Sequence, residues 1–441
     1  MVALMIFIFV AETDPLPPTF LFPEDIEDGE GVRIEAQGPE SFHDLIPKDE
    51  TRPNLRYAPV ATEGTKQGVR IWYLRVDPDE RNYADQRALC LGILKYGAWT
   101  LPSLAPDAPA WGGPNNVVMR RSPHKSTWAG FNVFQIVRRR GPYRMLYWDQ
   151  PKEGDAGAML ASSVDGVAWT KDPRGTVFTE PNDAFTLLLK GTSYLLYQTA
   201  LEPWPDKPYP GNLRDKQRVQ SIRTSRDLVE WSPQRIFLRP DESDEPHTEF
   251  YLMKPFSYAR GYAGLLTKYC ADPTRSNRQS ATCRTELIVS RDARDWARPY
   301  RETDLGFWTY ADPFLADGKL QFAYFDDRAG AMKLAQYAPG ALTAVVAGQQ
   351  EGGFVTKPFT VPPADLAIHA DARNGWIDVE ILDSQKAALA GFGPCRVANA
   401  KGTELILEWE GFYSSQLPLT QCRLRFRMQN AKLYAVTTLG T

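Results

Sequence analysis

Ser225 to Trp231 (SRDLVEW) closes a strand-like apolar stretch, and the chain repeats its pattern. Ser163 to Trp169 reads SVDGVAW, Ser290 to Trp296 reads SRDARDW, and Leu91 to Trp99 (LGILKYGAW) ends on a tryptophan in the same way. The tryptophans at 99, 169, 231 and 296 are spaced by 70, 62 and 65 residues. Each follows an alternating stretch rich in aromatics: Val69 to Val76 (VRIWYLRV), Tyr143 to Trp148 (YRMLYW), Ser193 to Tyr197 (SYLLY) and Tyr262 to Tyr269 (YAGLLTKY). Period-2 alternation bounded by Gly, Pro and Asp is the pattern of paired β-strands. A fifth unit, Leu320 to Phe325 and Ala331 to Tyr337, lacks the tryptophan.

A β-unit of about 65 residues, repeated five times without helical periodicity, predicts a propeller of five four-stranded blades. In the repeated turn, Ser and Asp side chains bond the turn's own backbone while the tryptophan wedges between blades. Asp165, Asp227 and Asp292 are therefore expected to form turns rather than catalyse. Beyond the Gly352-Gly353 pair the strands alternate cleanly: Trp376 to Leu382, Glu404 to Trp409, Cys422 to Met428 and Lys432 to Ala435. Such strands joined by polar turns indicate a sandwich. The expected architecture is all-β, a five-bladed β-propeller over residues 1–351 followed by a β-sandwich over 352–441.

The 51 basic and 54 acidic residues of this 441-residue chain nearly cancel. No field able to hold a polyphosphate backbone results, so nucleic acid is not an expected partner. The 12 Trp, 19 Tyr and 21 Phe supply flat ring faces that suit sugar stacking, although β-rich cores use the same residues. The apolar run Val2 to Val10 is too short to span a bilayer and lacks the basic opening of a secretory signal; a trimmed signal and a first strand both fit it. No membrane partner is expected. Cys270 and Cys283 bracket a polar loop, Cys395 and Cys422 fall on candidate neighbouring strands, and Cys90 is left over. Two disulfides, and with them a secreted or periplasmic location, are one expectation; buried thiols are the other. Neither CxxC nor HExxH occurs, and His43, His124, His247 and His369 lie far apart, so neither metal nor cofactor is expected.

The SRDLVEW turn resembles the blade turn of the five-bladed glycoside hydrolases of families 32 and 43. The order of further segments resembles that of bacterial family-32-like proteins over roughly residues 18 to 441: PNNVVM (Pro114 to Met119), YRMLYWDQ (Tyr143 to Gln150), NDAFT (Asn182 to Thr186), TEFYLMKPF (Thr248 to Phe256) and EGGFVTKPFTV (Glu351 to Val361). The WMNDPNG, RDP and EC signatures of family 32 itself are absent as written. The resemblance implies an active site at one end of the propeller axis, built from the leading ends of the innermost strands. It places Asp183, in NDAFT, as the carboxylate bracing the transition state and Glu249, in HTEFY, as the general acid. They stand 66 residues apart, one blade. Paired carboxylates on one funnel are the minimum apparatus for glycosidic cleavage, and Phe250 and Tyr251 offer the apolar setting an acid requires.

Blade one departs from the family pattern: it opens on Arg56 in NLRYAP, with no aspartate in register. The third carboxylate is then Asp312, in TYADPF, or one of Asp49 and Glu50. Arg56 would suit an anionic substrate or a carboxylate partner. Asn116 at blade two, Lys254 and His247 flanking the acid, and Trp308 near blade five are further candidates for holding a sugar by hydrogen bonds or stacking. These residues point to a glycosidase acting on an oligo- or polysaccharide, retaining or inverting. The alternatives are a glycan-binding propeller without catalysis and a scaffold. The unlike residues at successive blades (Asn116, Asp183, Glu249, Asp312) argue against a symmetric lectin.

Overall fold

The repeated turn forms as its chemistry dictates. Asp227 Oδ1 accepts hydrogen bonds from the backbone N–H groups of Val229 (2.8 Å) and Glu230 (2.9 Å) and from Ser225 Oγ (3.0 Å). Asp165 and Asp292 do the same in their own turns. The backbone donors hold the Asp165 and Asp227 carboxyls below their ordinary range. The residue after each aspartate lies in the left-handed region: Gly166 at φ 78°, Leu228 at 69°, Ala293 at 58°. Leu228 and Ala293 are buried, and that burial offsets the backbone strain. The wedge is realised at two turns: Trp231 meets Phe178 of the preceding sheet at 5.9 Å, and Trp296 meets Tyr197 likewise at 5.9 Å. Trp99 and Trp169 instead contact Tyr73 and Tyr143 of their own sheets.

The computed structural model describes residues 20–81, 85–104, 115–122, 130–150, 155–179, 182–205, 207, 213, 215–270, 282–361, 364–417 and 421–439. The run Val2 to Val10, Pro114 and the loop between Cys270 and Cys283 lie outside them. Two units result, Pro39–Gln336 and Met1–Gly38 with Tyr337–Thr441.

The first unit holds five antiparallel sheets among the described residues. Their innermost strands are Arg56–Thr65, Asn132–Val137, Phe185–Lys190, Thr248–Tyr258 and Phe314–Ala316. The first four touch in that order, and the fifth returns to the first. Apolar side chains fill the gaps between sheets: Trp72 on Tyr143 (5.7 Å), Phe134 on Phe185 (4.8 Å), Phe256 on Phe322 (5.4 Å) and Tyr57 on Phe325 (6.3 Å). Leu195, Tyr197, Met253 and Leu266 do so between the third and fourth. This is the layout of a β-propeller. The fifth sheet takes its outer strand, Ser41–Ile46, from the beginning of the chain.

In the other unit two antiparallel sheets share one apolar core of Val345, Phe354, Ile368, Val379, Phe426 and Leu433. This is the sandwich, but its membership corrects the expected boundary at 351/352. Ile26–Glu30 and Val32–Ala36 pair with Gly352–Thr356 and Thr343–Ala347, so both chain ends build it. The acidic IEDGE stretch shows no apolar alternation that could have revealed this.

Two other expectations fail here. Asn116 does not belong to the second blade. The strand Val117–Arg120 pairs with Arg87–Lys95, which keeps the chain in the first sheet, and the second sheet begins at Asn132. All five cysteines are thiols. Cys395 and Cys422 flank opposite sides of the strand Trp376–Asp383, and Cys283 pairs with Tyr269 rather than Cys270. The cysteines therefore give no sign of an oxidising compartment. No helix among the described residues is long and apolar enough to cross a membrane.

Candidate functional site

Successive sheets present the leading ends of their innermost strands to one mouth. The first sheet contributes Arg56 and, from the start of Arg87–Lys95, Arg87. The second contributes Asn132, the third Asp183, the fourth Tyr251, and the approach to the fifth contributes Trp308 and Tyr310. Asn132 Nδ2 donates to Asp183 Oδ2 at 2.8 Å, and Arg87 in turn bonds Asn132 Oδ1, so the Asp183 carboxylate is oriented by a chain running from the first sheet. Tyr310 packs against Phe134 (4.9 Å) and Trp308 (5.3 Å), and Trp308 meets Tyr251 edge-on at 6.4 Å. Burial pushes the Tyr310 phenol well above its usual value; Tyr251, Asp183 and Asp327 add to the effect and Arg87 opposes it. These four groups therefore lie within electrostatic reach of the Tyr310 hydroxyl.

Asp327, in the turn after Lys319–Asp326, is a carboxylate the sequence reading missed. Desolvation by its neighbours raises its pKa, with the Arg56 guanidinium opposing and Asp326 assisting. More than half of its side-chain surface (55%) still meets solvent, so water screens the effect.

Glu249 stands at the leading end of the fourth inner strand, as its spacing implies, but it is sealed. It is fully buried; Oε1 accepts from Lys207 Nζ at 2.9 Å, and Oε2 accepts from Arg218 N and Nη1, both at 3.0 Å. Arg218 itself lies between the rings of Tyr251 and Tyr269, 5.8 and 5.7 Å from their centroids. A general acid must reach the leaving oxygen with a proton. A carboxylate whose two oxygens already accept from two cations and an amide, out of contact with solvent, is placed to anchor the fourth sheet on the third.

Lys254, Asp312 and Gln135 form a second layer, in which Gln135 lies three residues along the second inner strand from Asn132, roughly 10 Å away. Lys254 is fully buried; its Nζ lies 2.8 Å from Asp312 Oδ1 and donates to Gln135 Oε1 at 2.9 Å. Gln135 Nε2 donates to Asp312 Oδ2 at 2.8 Å, and Thr62 Oγ1 to the Asp312 carbonyl at 3.0 Å. Side chains of the first, second, fourth and fifth sheets are thus tied together. Burial lowers the Lys254 pKa against the opposing pull of Asp312.

The remaining candidates are dispersed. Asn116 is buried in the first sheet and donates to Tyr73 Oη and the Leu91 carbonyl, both at 2.8 Å. His247, at φ 67°, stacks on Trp204 at 6.5 Å. Asp49 accepts from Thr51 and Arg52 in its own turn, and Glu50 pairs with Lys48. A groove lined by Ser193, Ser225, Asp227 and Arg294 lies at the outer turns of the third and fourth sheets, not at the mouth, and its aspartate is committed to the turn. No three His, Cys, Asp or Glu among the described residues are placed to hold a metal ion.

No family model matches the chain, and no curated protein matches it. Solved structures share its layout. A structure concerning the GH130 family of mannoside phosphorylases, with glycoside hydrolases that target β-1,2 mannosidic linkages in Candida mannan, is 15% identical. It covers 73% of this chain and 97% of its own, at TM-score 0.42. The Bombyx mori GH32 β-fructofuranosidase BmSUC1 is 11% identical over 91% of this chain and 95% of its own, at TM-score 0.45. A glycosyl hydrolase from Bacteroides ovatus is 14% identical over 74% and 97%, at TM-score 0.41. Likeness at this level assigns neither family nor activity.

Of the residues singled out from the sequence, Arg56, Asp183 and Trp308 lie at the mouth, while Arg87, Asn132, Tyr310 and Asp327 were missed. One signal was available for the second layer: Gln135 interrupts the apolar strand NVFQIV, and a polar side chain in a buried strand needs a partner.

Proposed function

We propose that the chain is a glycoside hydrolase, of the kind its resemblance to families 32 and 43 implies, acting on an oligo- or polysaccharide at this mouth. The observation that carries the reading is Asp183, fixed by Asn132 within electrostatic reach of Tyr310, whose ring packs on Trp308 and through it on Tyr251. An oriented carboxylate next to flat apolar faces binds ring hydroxyls while stacking the sugar. Asp183 braces the sugar, and Asp327 takes the role of proton donor that the sealing of Glu249 vacates. The glycosidic C–O bond breaks as the Asp327 proton passes to the leaving oxygen. Water then gives its hydroxyl to the anomeric carbon, and its remaining proton returns to Asp327. Glu249, Arg218 and Lys254 are positioning residues behind the sugar.

Aryl glycosides with good and poor leaving groups test these roles. Asp183→Asn should depress hydrolysis of both. Asp327→Asn should depress the poor leaving groups by about 100-fold and spare the good ones, which need little protonation. The sealing of Glu249 favours one other reading, glycan binding without cleavage. Saturable oligosaccharide binding with no turnover on any panel member would establish that reading and sink the hydrolase.

A further inference from the structure

We propose that the saccharide bound at this mouth is acidic, its carboxylate gripped by the Arg56 guanidinium; this rests on reading the mouth as a sugar site. The arginines around the inner strands are engaged, with one exception. Arg87 bonds Asn132, Arg218 bonds Glu249, and Arg52 and Arg75 both bond Asp77. Arg56 opens the innermost strand of the first sheet with 66% of its side chain exposed and makes no side-chain hydrogen bond among the described residues. Its charged neighbour, Asp327 Oδ1, lies 4.0 Å away, beyond hydrogen-bond length. The planar fork of a guanidinium matches a carboxylate with two parallel N–H···O bonds, and the exposure of this side chain leaves the fork open to a ligand.

The neighbouring charges give the choice of ligand a chemical consequence. Arg56 is the group that favours the ionised form of Asp327, against the desolvation that disfavours it. A sugar carboxylate seated on Arg56 takes away that counter-charge and sets a second negative charge near Asp327. Both changes favour the protonated carboxyl, the form that donates to a leaving oxygen. A neutral sugar does neither. An acidic substrate thus prepares its own proton donor, so discrimination falls on turnover as well as on binding.

Paired aryl hexosides and aryl hexuronides of matched configuration test the inference, with binding of neutral and uronic trisaccharides followed by calorimetry on the full chain. Wild type should prefer uronides in kcat/KM by about 10- to 100-fold, the worth of a charge-assisted hydrogen-bond pair, and Arg56→Gln should bring that ratio to about one. Arg56→Lys, which keeps the charge and loses the fork, should fall between them. Arg56 is exposed, so an unchanged unfolding temperature is expected and separates recognition from misfolding. Equal use of neutral and acidic substrates by wild type, or a ratio that Arg56→Gln leaves intact, overturns the acidic inference while the hydrolase reading stands. Uronide binding that Arg56→Gln abolishes, with no turnover anywhere, upholds the acidic inference and overturns the hydrolase reading.

Discussion

Asp312→Asn should cost far more stability than Lys254→Met, although the two substitutions remove the same ion pair. Lys254 is fully buried while the Asp312 side chain is 40% exposed. Neutralising Asp312 leaves an ammonium in the interior facing only neutral acceptors, Gln135 Oε1 and the substituted amide oxygen, and stranding a buried charge costs about 3 to 5 kcal/mol. Replacing Lys254 by methionine fills the same volume and leaves a carboxylate that water and Gln135 Nε2 still solvate, a cost of about 1 kcal/mol. At roughly 2 °C per kcal/mol for a unit of this size, thermal scans should show a fall of about 6 to 10 °C for Asp312→Asn and about 2 °C for Lys254→Met. The pH dependence supplies the sharper check. Lys254 has a folded pKa below its ordinary 10.5, so the folded state holds this proton less firmly than the unfolded chain and stability rises as pH climbs towards 10.5. Removing Asp312 removes the influence that raises this pKa, so the Asp312→Asn deficit should shrink as pH rises through the alkaline range. Equal losses for the two variants, or a deficit that deepens with alkali, would refute the assignment of a charged, stranded lysine.

The turn aspartates make a prediction of the opposite sign. Asp227→Ala should lower stability by about 1 to 2 kcal/mol near neutrality, and the difference from wild type should shrink as the pH falls below 3.8 and through the lowered folded value, because a carboxyl held low stabilises only while ionised; a deficit undiminished in acid counts against it. Trp231→Ala empties the wedge against Phe178 and, for a half-buried ring, should cost about 2 to 3 kcal/mol in a denaturant melt, whereas a neutral result would mean the gap between sheets collapses freely. A thiol titration in denaturant without reductant should count five thiols; one or three would show that pairs form after all.

The fold was readable in the sequence because the blade turn is local chemistry. Ser225, Asp227 and Trp231 lie within seven residues, so their hydrogen bonds follow from spacing alone. The sandwich boundary was not readable, since the strands that complete it lie more than 300 residues from their partners and carry acidic, half-exposed side chains. At the site, the one-blade spacing located Asp183 and Glu249 at corresponding strand ends. The sealing of Glu249 depends on Arg218 and Lys207, 31 and 42 residues earlier on other segments, and no periodicity announces a partner across two sheets. Asp327 was invisible for the same reason: its importance comes from lying beside Arg56, not from any motif of its own.

The strand Ser41–Ile46 that finishes the fifth sheet sets a schedule for folding. Ser41 hydrogen-bonds Gln336, 295 residues later, so the ring cannot close until nearly the whole propeller has been synthesised. At about 5 to 20 residues per second, the first strand waits on the order of 15 to 60 seconds for its partner, presenting unpaired N–H and C=O groups throughout. Joining ends so distant carries a loop-closure entropy of roughly 5 kcal/mol, which the intervening sheets reduce if they assemble first. Ribosome-bound chains truncated before residue 331 should therefore be the species most prone to edge-to-edge aggregation and most in need of chaperones.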